Sequence, residues 1–209
     1  MYLDQPMRYF LEKLASKSPE PGGGSVAALA GSLAAALVSM VANLTIDKEK
    51  YQEVQPQIRA LLEESERLRA ELQDLIQKDT EVYGALSEVY RMSRNTESEK
   101  AVRSVKIQDA LKRACHVPYE IGTKSLDVAR LARQAAEIGN TNTVSDAGID
   151  AILAYACAQS AALNVKINLN SIHDSTYVDT TWSRMQSVLI ETANLEKATL
   201  EITYRKIRQ

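Results

Sequence analysis

The feature that most constrains this chain is an uncharged run from Gly22 to Ile46, which opens with three glycines and is rich in alanine. The run is long enough to span a bilayer, and it is too apolar for a surface helix. After Ser25, four more polar side chains interrupt it: Ser32, Ser39, Asn43 and Thr45. Aromatic belts and a basic flank are absent. These features favour a buried core helix over a membrane span, and we expect no membrane partner.

Composition limits the class of protein. The 209 residues carry a net charge of −2, with 45% hydrophobic and 25% charged residues, which is ordinary for one globular domain covering residues 1–209. No long basic run is present, so we expect no nucleic-acid partner. Cys115 and Cys157 lie in apolar surroundings and predict reduced, buried thiols. Together with an N-terminus that lacks the pattern of a signal peptide, they predict a cytoplasmic protein.

Hydrophobic periodicity predicts helices throughout, and no stretch alternates like a strand. The fold class is therefore all-α: a single-domain helical bundle with long amphipathic helices around two buried small-residue helices. Pro118 is expected to break or kink the helix pattern between 98 and 138. The other predicted helices are a first one ending before 18–21, a second beginning near Ser25, a long one over 56–92, one following the polar loop 139–146, and one over 174–207.

The glycine loop has two interpretations. Gly22, Gly23 and Gly24 allow backbone to approach closely to a ligand or to another segment. Ser25 is expected to cap the next helix and leave its first N–H groups free for an anionic or polar ligand. The alternative is a simple turn, since neither a Walker nor a Rossmann pattern is present.

The polar loop over 139–146 also precedes a small-residue helix. Its Asn140, Ser145 and Asp146 are suited to capping that helix. Because both loops open small-residue helices, the two N-terminal ends can converge on one polar pocket.

Asp79 is the residue best suited to chemistry. The spacing of the long helix places it on the apolar stripe, between Leu75 and Ile76 on one side and Val82 and Tyr83 on the other. Desolvation there should raise the pKa of the carboxyl unless a cation or hydrogen-bond donors compensate. A carboxyl shifted in this way is suited to general acid–base catalysis. The alternative is a structural, paired acid at the edge of the stripe.

Other chemistries have little support in the sequence. His116 and His173 have no acidic or cysteine neighbours at metal-ligand spacing, so we expect no metal site. No nucleophile elbow accompanies a Ser-His-Asp set. Basic residues surround the polar connection over 93–98 and are either solvated surface or an anion-binding rim for a polycarboxylate: Arg91, Arg94, Lys100 and Arg103.

These residues resemble the cyclodeaminase domain of formiminotransferase-cyclodeaminase and its stand-alone bacterial relatives, which include methenyltetrahydrofolate cyclohydrolases. The resemblance covers nearly the whole chain. The motifs that carry it are Phe10-Leu11, Pro21-Gly22-Gly23-Gly24-Ser25, Ser39 to Thr45, Lys78-Asp79-Thr80-Glu81-Val82-Tyr83, Val117-Pro118, Gly139-Asn140, Ser145-Asp146 and Asn164 to Leu169.

The resemblance implies an all-helical fold, usually dimeric, that acts on a tetrahydrofolate one-carbon adduct, including polyglutamylated forms. By position, Asp79 matches the catalytic aspartate of the family, and Arg94 lies where relatives often carry a basic residue. No metal or cofactor beyond the tetrahydrofolate substrate is implied. The residues that match folate-pocket motifs are Gly22, Gly23, Gly24, Ser25, Asn140, Ser145 and Asp146.

Two activities follow from the resemblance. We favour hydrolysis of 5,10-methenyltetrahydrofolate to 10-formyltetrahydrofolate, because no formiminotransferase domain is attached. The alternative is formiminotetrahydrofolate cyclodeaminase, which converts 5-formiminotetrahydrofolate to the methenyl compound and ammonia. A more distant alternative is a non-enzymatic helical dimerisation module, in which the glycine loop only turns the chain.

Overall fold

A computed structural model of the chain describes residues 2–207, which form six α-helices and no strand. The predicted all-α bundle is therefore confirmed. The α-helices are α1 (Met7–Leu14), α2 (Gly23–Asn43), α3 (Gln55–Tyr90), α4 (Glu97–Ile138), α5 (Val144–Leu169) and α6 (Ser175–Ile207). Short 3₁₀ turns cover Tyr2–Asp4, Glu49–Val54 and Thr141–Thr143.

Helices α2 to α6 run alternately up and down, each antiparallel to the one before it. Between α2 and α3, a contact of Ser25 with Asp79 lies at one end, and the hydroxyls of Ser39 and Ser65, 2.8 Å apart, lie toward the other. Contacts between α3 and α4, between α4 and α5, and between α5 and α6 show the same antiparallel arrangement. The small-residue helices α2 and α5 are therefore antiparallel neighbours, and the N-terminus of α2 lies beside the C-terminal end of α5.

Small residues allow α2 to pack closely against α3 and α5. A Cβ added at Gly31 would lie 2.9 Å from Sγ of Cys157 and 3.2 Å from a methyl of Leu72. Ala27 and Ala35 on the same face are fully buried. By length and composition α2 is the one described helix able to span a membrane. The structure buries its small-residue face in protein, as the polar interruptions predicted.

Pro118 does not end a helix, so the predicted break is wrong: α4 is continuous for 42 residues. Proline lacks the N–H that would donate to the carbonyl of Ala114 one turn earlier. The side-chain amide of Asn168 on α5 donates to that carbonyl oxygen instead, at 3.4 Å. A neighbouring helix thus partly replaces the missing hydrogen bond.

Three buried titratable groups lie on α4 and α5. Burial raises the pKa of the Cys115 thiol to about 11 and that of Cys157 to about 12, so both thiols are protonated at neutral pH. Their predicted burial is confirmed. Asp150 on α5 is completely buried, and its carboxyl oxygens make no hydrogen bond within the described part of the chain. Burial raises the pKa of Asp150 well above its usual range.

Unequal helix lengths create a groove at one end of the bundle. Helix α2 begins at Gly23, opposite Asp79, whereas α3 continues to Tyr90, about 16 Å further at 1.5 Å per residue. The apolar stripe of α3 therefore loses its cover beyond Asp79, and Tyr83 and Tyr90 are each 46% exposed. The N-terminal half of α4 and the C-terminal end of α5 flank this uncovered stretch.

Candidate active site

Asp79 is half-buried and faces the N-terminus of α2. The hydroxyl of Ser25 donates to its Oδ2 at 2.8 Å and lies 3.3 Å from the carbonyl oxygen of Ile76. The backbone N–H of Ser25 also donates to the carboxylate. Ser25 itself is fully buried, so it holds the carboxylate from the protein side.

The role expected for Ser25 at the helix start is different from the one observed. Helix α2 begins at Gly23, Gly22 occupies the N-cap position, and no side chain among residues 2–207 caps it. The predicted cap is therefore wrong. Ser25 lies in the first turn, where its N–H has no partner within the helix. Asp79 accepts a hydrogen bond from that N–H, which we had expected to be free to bind an anionic ligand.

Gly24 makes room for Asp79. A Cβ added at Gly24 would lie 2.0 Å from Oδ1 of Asp79, far closer than any real contact. The corresponding Cβ at Gly23 would lie 3.5 Å from the side chain of Asn164, which is ordinary contact. Gly22 and Gly23 line the cavity described below. All three glycines line this space, and Gly24 in addition admits the carboxylate of Asp79.

The environment of Asp79 raises its pKa. Burial is the largest cause, and the hydrogen bonds from the hydroxyl and the N–H of Ser25 oppose it without cancelling it. The N-terminus of α2 also favours the ionised carboxylate through its partial positive charge. The predicted elevation of the pKa is confirmed. A carboxyl tuned toward neutral pH can accept a proton in one step and return it in the next.

Beside Asp79 lies a cavity of about 350 Å³, within the size range of small-molecule sites. Its polar groups lie at the glycine loop, on α5 and at Asp79 and Thr80 of α3, while the rest of the α3 and α4 lining is mainly apolar. The lining residues are Pro19, Glu20, Gly22, Gly23, Gly24, Asp79, Thr80, Val82, Tyr83, Leu86, Ala114, Pro118, Asn164, Ile167 and Asn168. Such walls suit a flat ring, with polar groups at one edge to orient it.

Asn164 and Asn168 were not predicted as site residues, although both belong to the last motif of the resemblance. Their four-residue spacing places them on one face of α5, which is a signal that the sequence contained. The amide of Asn164 donates to the carbonyl of Ser160 at 2.8 Å, and the amide of Asn168 is 2.9 Å from the carbonyl of Asn164. Both side chains are therefore oriented toward the cavity by their own helix.

Asn140, Ser145 and Asp146 lie at the opposite end of the bundle. The amide of Asn140 donates to the carbonyl of Leu44 at 2.9 Å, just after α2 ends. Because α2 has 21 residues, that end is about 31 Å from the end that holds Asp79. The expected convergence of the two loops on one pocket is wrong within a protomer, because the helices that they open are antiparallel.

Arg94 lies in a second part of the groove. It lines a separate cavity of about 420 Å³ beyond Tyr90, where α4 begins. In one protomer the structure thus brings Asp79 together with the glycine loop and Ser25, places Arg94 farther along the groove, and leaves the three residues of the 139–146 loop remote.

The fold and this site define an all-α protein with a half-buried carboxyl group beside a mostly apolar cavity. The family model described as formiminotransferase-cyclodeaminase matches residues 6–187, and the chain belongs to that family. It is 41% identical to a methenyltetrahydrofolate cyclohydrolase of Methylorubrum extorquens over 98% of both chains. It is 30% identical to mouse formimidoyltransferase-cyclodeaminase over 90% of this chain and 35% of that one.

A solved structure supports the fold independently. The crystal structure of formiminotetrahydrofolate cyclodeaminase from Thermotoga maritima superposes with a TM-score of 0.89 at 29% identity. The match covers 99% of this chain and all of the other. The whole bundle, with its long α3 and α4, is therefore shared with that protein.

Proposed function

We propose that this protein is an enzyme of folate one-carbon metabolism that hydrolyses 5,10-methenyltetrahydrofolate to 10-formyltetrahydrofolate. The observation that carries the proposal is the Asp79 carboxyl, which Ser25 holds at the edge of an apolar cavity and whose pKa is raised by burial. Full-length similarity to a protein named methenyltetrahydrofolate cyclohydrolase supports the choice of reaction.

In the proposed reaction, the Asp79 carboxylate takes a proton from water as the water oxygen bonds to the methenyl carbon. The product of this step is a neutral tetrahedral carbon that bears N5, N10 and a hydroxyl. Asp79 then protonates N5 as the bond from carbon to N5 breaks, and the hydroxyl loses its proton as the formyl group forms on N10. One water is consumed and one proton is released overall.

The second candidate is formiminotetrahydrofolate cyclodeaminase, the activity named for the Thermotoga maritima structure. Here N10 attacks the formimino carbon on N5, and ammonia leaves from the resulting tetrahedral carbon. Asp79 would take the proton from N10 and deliver a proton to the departing nitrogen. The same carboxyl serves both reactions, because each requires proton removal from a nucleophile and proton delivery to a leaving amine.

The two activities are distinguished by supplying each substrate separately. We expect the protein to accelerate the loss of near-ultraviolet absorbance of 5,10-methenyltetrahydrofolate above the rate in buffer alone. Release of ammonia from 5-formiminotetrahydrofolate, with appearance of that absorbance, would identify the cyclodeaminase instead. If neither substrate reacts and no folate binds, the non-enzymatic dimerisation module is the better description.

We also propose that the protein is a cytoplasmic homodimer that needs no metal or redox cofactor. Support for the dimer comes from large apolar side chains that two adjacent helices leave exposed: Val26, Leu33 and Met40 on α2 with Leu44 directly after it, and Ile149, Ile152, Leu163 and Ile167 on α5. Exposed apolar stripes of this kind mark protein interfaces, and a two-fold dimer would cover both copies at once.

Light scattering after size-exclusion chromatography tests the dimer. The wild type should have twice the mass of one chain, and Leu163→Glu, at a side chain that is 74% exposed, should reduce it to one. Gln186→Glu, at an exposed position of α6 outside both stripes, is the control. A monomeric wild type would contradict this proposal, and a loss of turnover after dialysis against EDTA would contradict the metal-free one.

A further inference from the structure

Asn164 and Asn168 line the Asp79 cavity from α5 but take no part in the proton transfers proposed above. Each side chain has one oxygen, which accepts hydrogen bonds, and one NH₂ group, which donates them. The NH₂ group of Asn164 donates to the carbonyl oxygen of Ser160 at 2.8 Å. The NH₂ group of Asn168 donates to the carbonyl oxygen of Asn164 at 2.9 Å and to that of Ala114 at 3.4 Å. The donors of both side chains are therefore directed at backbone.

The two side-chain oxygens remain available as acceptors. Neither Oδ1 atom makes a hydrogen bond with any other residue of the range 2–207. Rotating either amide by half a turn would place its oxygen against a carbonyl oxygen, so the backbone contacts determine which atom is free. Among the described residues, no Lys, Arg or His lines the cavity. Lys166, between the two asparagines in sequence, lies over the ring of Trp182 at 4.4 Å instead. The α5 wall therefore presents two acceptors that need donors from a ligand.

Pro118 explains why the orientation of Asn168 is fixed. Proline has no N–H, so the carbonyl oxygen of Ala114, one turn earlier, lacks its helical partner. That oxygen takes one hydrogen of the Asn168 amide, and the carbonyl oxygen of Asn164 takes the other. Both Pro118 and Ala114 line the cavity. The proline inside α4 thus helps to keep the oxygen of Asn168 free.

Asp79 faces these acceptors across the cavity. Helices α3 and α5 both pack against α2 and α4, and they make almost no contact with each other. The cavity at the N-terminal end of α2 therefore has α3, with Asp79, on one side and α5 on the other. Asn164 lies beside Gly23, at the closed end. Asn168 lies about one turn farther toward the open end of the groove.

We propose that Asn164 and Asn168 orient the substrate ring by accepting hydrogen bonds from its N–H donors, so that the reacting carbon faces Asp79. The proposal rests on the proposed function, because it takes the ligand to be a reduced folate. The ring of a reduced folate carries its 2-amino group and its N8–H on one edge, and N5 lies on the opposite edge. With the donor edge on α5, N5 and the one-carbon group bonded to it point toward α3.

The shape of the cavity determines which asparagine takes which donor. The rest of the folate is attached to the ring that contains N5 and N8, so that ring lies toward the open end of the groove. The pyrimidine ring, with the 2-amino group, lies toward the glycine loop. Asn164 then accepts from the 2-amino group and Asn168 from N8–H. Side chains four residues apart on a helix are close enough to bind one ring edge.

The test compares 5-formyltetrahydrofolate, a stable reduced folate, with the analogue in which a methyl group replaces the 2-amino group. Calorimetry should show that the wild type binds the analogue about tenfold more weakly, because the acceptor on α5 loses its donor. Asn164→Leu should bind 5-formyltetrahydrofolate about tenfold more weakly than the wild type does, and it should no longer distinguish the two compounds. Asn194→Leu, at an exposed position of α6 outside the cavity, is the control and should keep the wild-type preference.

Asn164→Asp separates the acceptor role from a purely structural one. It keeps an acceptor oxygen and loses the NH₂ group that donates to the carbonyl of Ser160. The proposal predicts that this variant still prefers the amino compound, and behaviour like that of Asn164→Leu would indicate a structural role instead. Equal binding of the two compounds by the wild type, or an unchanged preference in a folded Asn164→Leu, would overturn the proposal.

Kinetics separate this proposal from the proposed function. With 5,10-methenyltetrahydrofolate, Asn164→Leu should raise KM several-fold and lower kcat, because the ring is held less firmly against Asp79, and Asn194→Leu should change neither. Unchanged KM and kcat in Asn164→Leu would remove the orienting role and leave the hydrolase assignment intact. A preference for the amino compound that Asn164→Leu abolishes, without turnover by the wild type, would contradict the hydrolase assignment alone.

Discussion

Replacing Ser25 with alanine is expected to shift the acid limb of the pH–rate profile to higher pH. The hydroxyl of Ser25 donates to Oδ2 of Asp79 at 2.8 Å and favours the ionised carboxylate. A hydrogen bond to a charged group contributes about 1.5–3 kcal/mol. We take the lower value because Asp79 is only half-buried and because the variant keeps the hydrogen bond from the backbone N–H of residue 25 to the carboxylate. About 1.5 kcal/mol corresponds to a roughly tenfold higher proton affinity.

The direction follows from the role as a base that is proposed for the carboxylate. Because kcat/KM falls when Asp79 becomes protonated, a higher pKa makes the rate fall at a higher pH. At high pH, where both proteins are ionised, the variant should approach the rate of the wild type. The assay is kcat/KM for methenyltetrahydrofolate across the pH range, corrected at each pH for hydrolysis in buffer.

Ser39→Ala is the matched control for this prediction. Ser39 is buried on the same helix and contacts Ser65 at 2.8 Å, but it is 14 positions from Ser25, about 21 Å along α2. Both variants should lose some stability, and only Ser25→Ala should shift the acid limb. An identical limb in Ser25→Ala and wild type would refute the inferred coupling between Ser25 and Asp79.

Two further predictions follow from buried contacts. Gly24→Ala should lower kcat about a hundredfold, because the new Cβ displaces the carboxylate of Asp79 and small misplacements of catalytic groups are costly. Gly84→Ala is the control: a Cβ at that position meets open space, so kcat should not change. The pKa of Asp150 is raised in the folded state. The contribution of Asp150 to the free energy of unfolding is therefore largest below its pKa in the unfolded chain, and it is lost as pH rises toward its pKa in the folded state. Denaturant titrations should therefore show that the free energy of unfolding declines by up to about 1.4 kcal/mol per pH unit above pH 4. Asp150→Asn should remove this decline, and the exposed control Asp74→Asn should not. Equal slopes in all three proteins would contradict the assignment.

The parts of the fold that local pattern controls could be predicted from the sequence. The stripe of α3 located its boundaries to within two residues and placed Asp79 on the inner face. The burial of α2 followed from its small and polar side chains. Pro118 misled because local preference predicts a break, whereas a side chain from α5, distant in sequence, supports the helix at that point.

The candidate site was only partly predictable, because its geometry depends on how the helices are arranged. The spacing of Asp79 indicated a buried carboxyl, but only the packing of α2 on α3 shows that Gly24 and Ser25 surround it. Asn140 and its neighbours were placed with the same pocket because both loops precede small-residue helices. The antiparallel arrangement of those helices, which no local pattern encodes, separates them within a protomer.

The turnover of Asp79→Asn tests the catalytic role of this carboxyl most directly, because the change keeps the size of the side chain and removes its acid–base function. We expect thermal stability and folate binding to stay near wild type while kcat falls by about 10²–10⁴-fold, the usual contribution of a general acid–base group. Turnover near that of the wild type, in a folded variant that binds folate, would contradict the assignment of Asp79 as the catalytic residue.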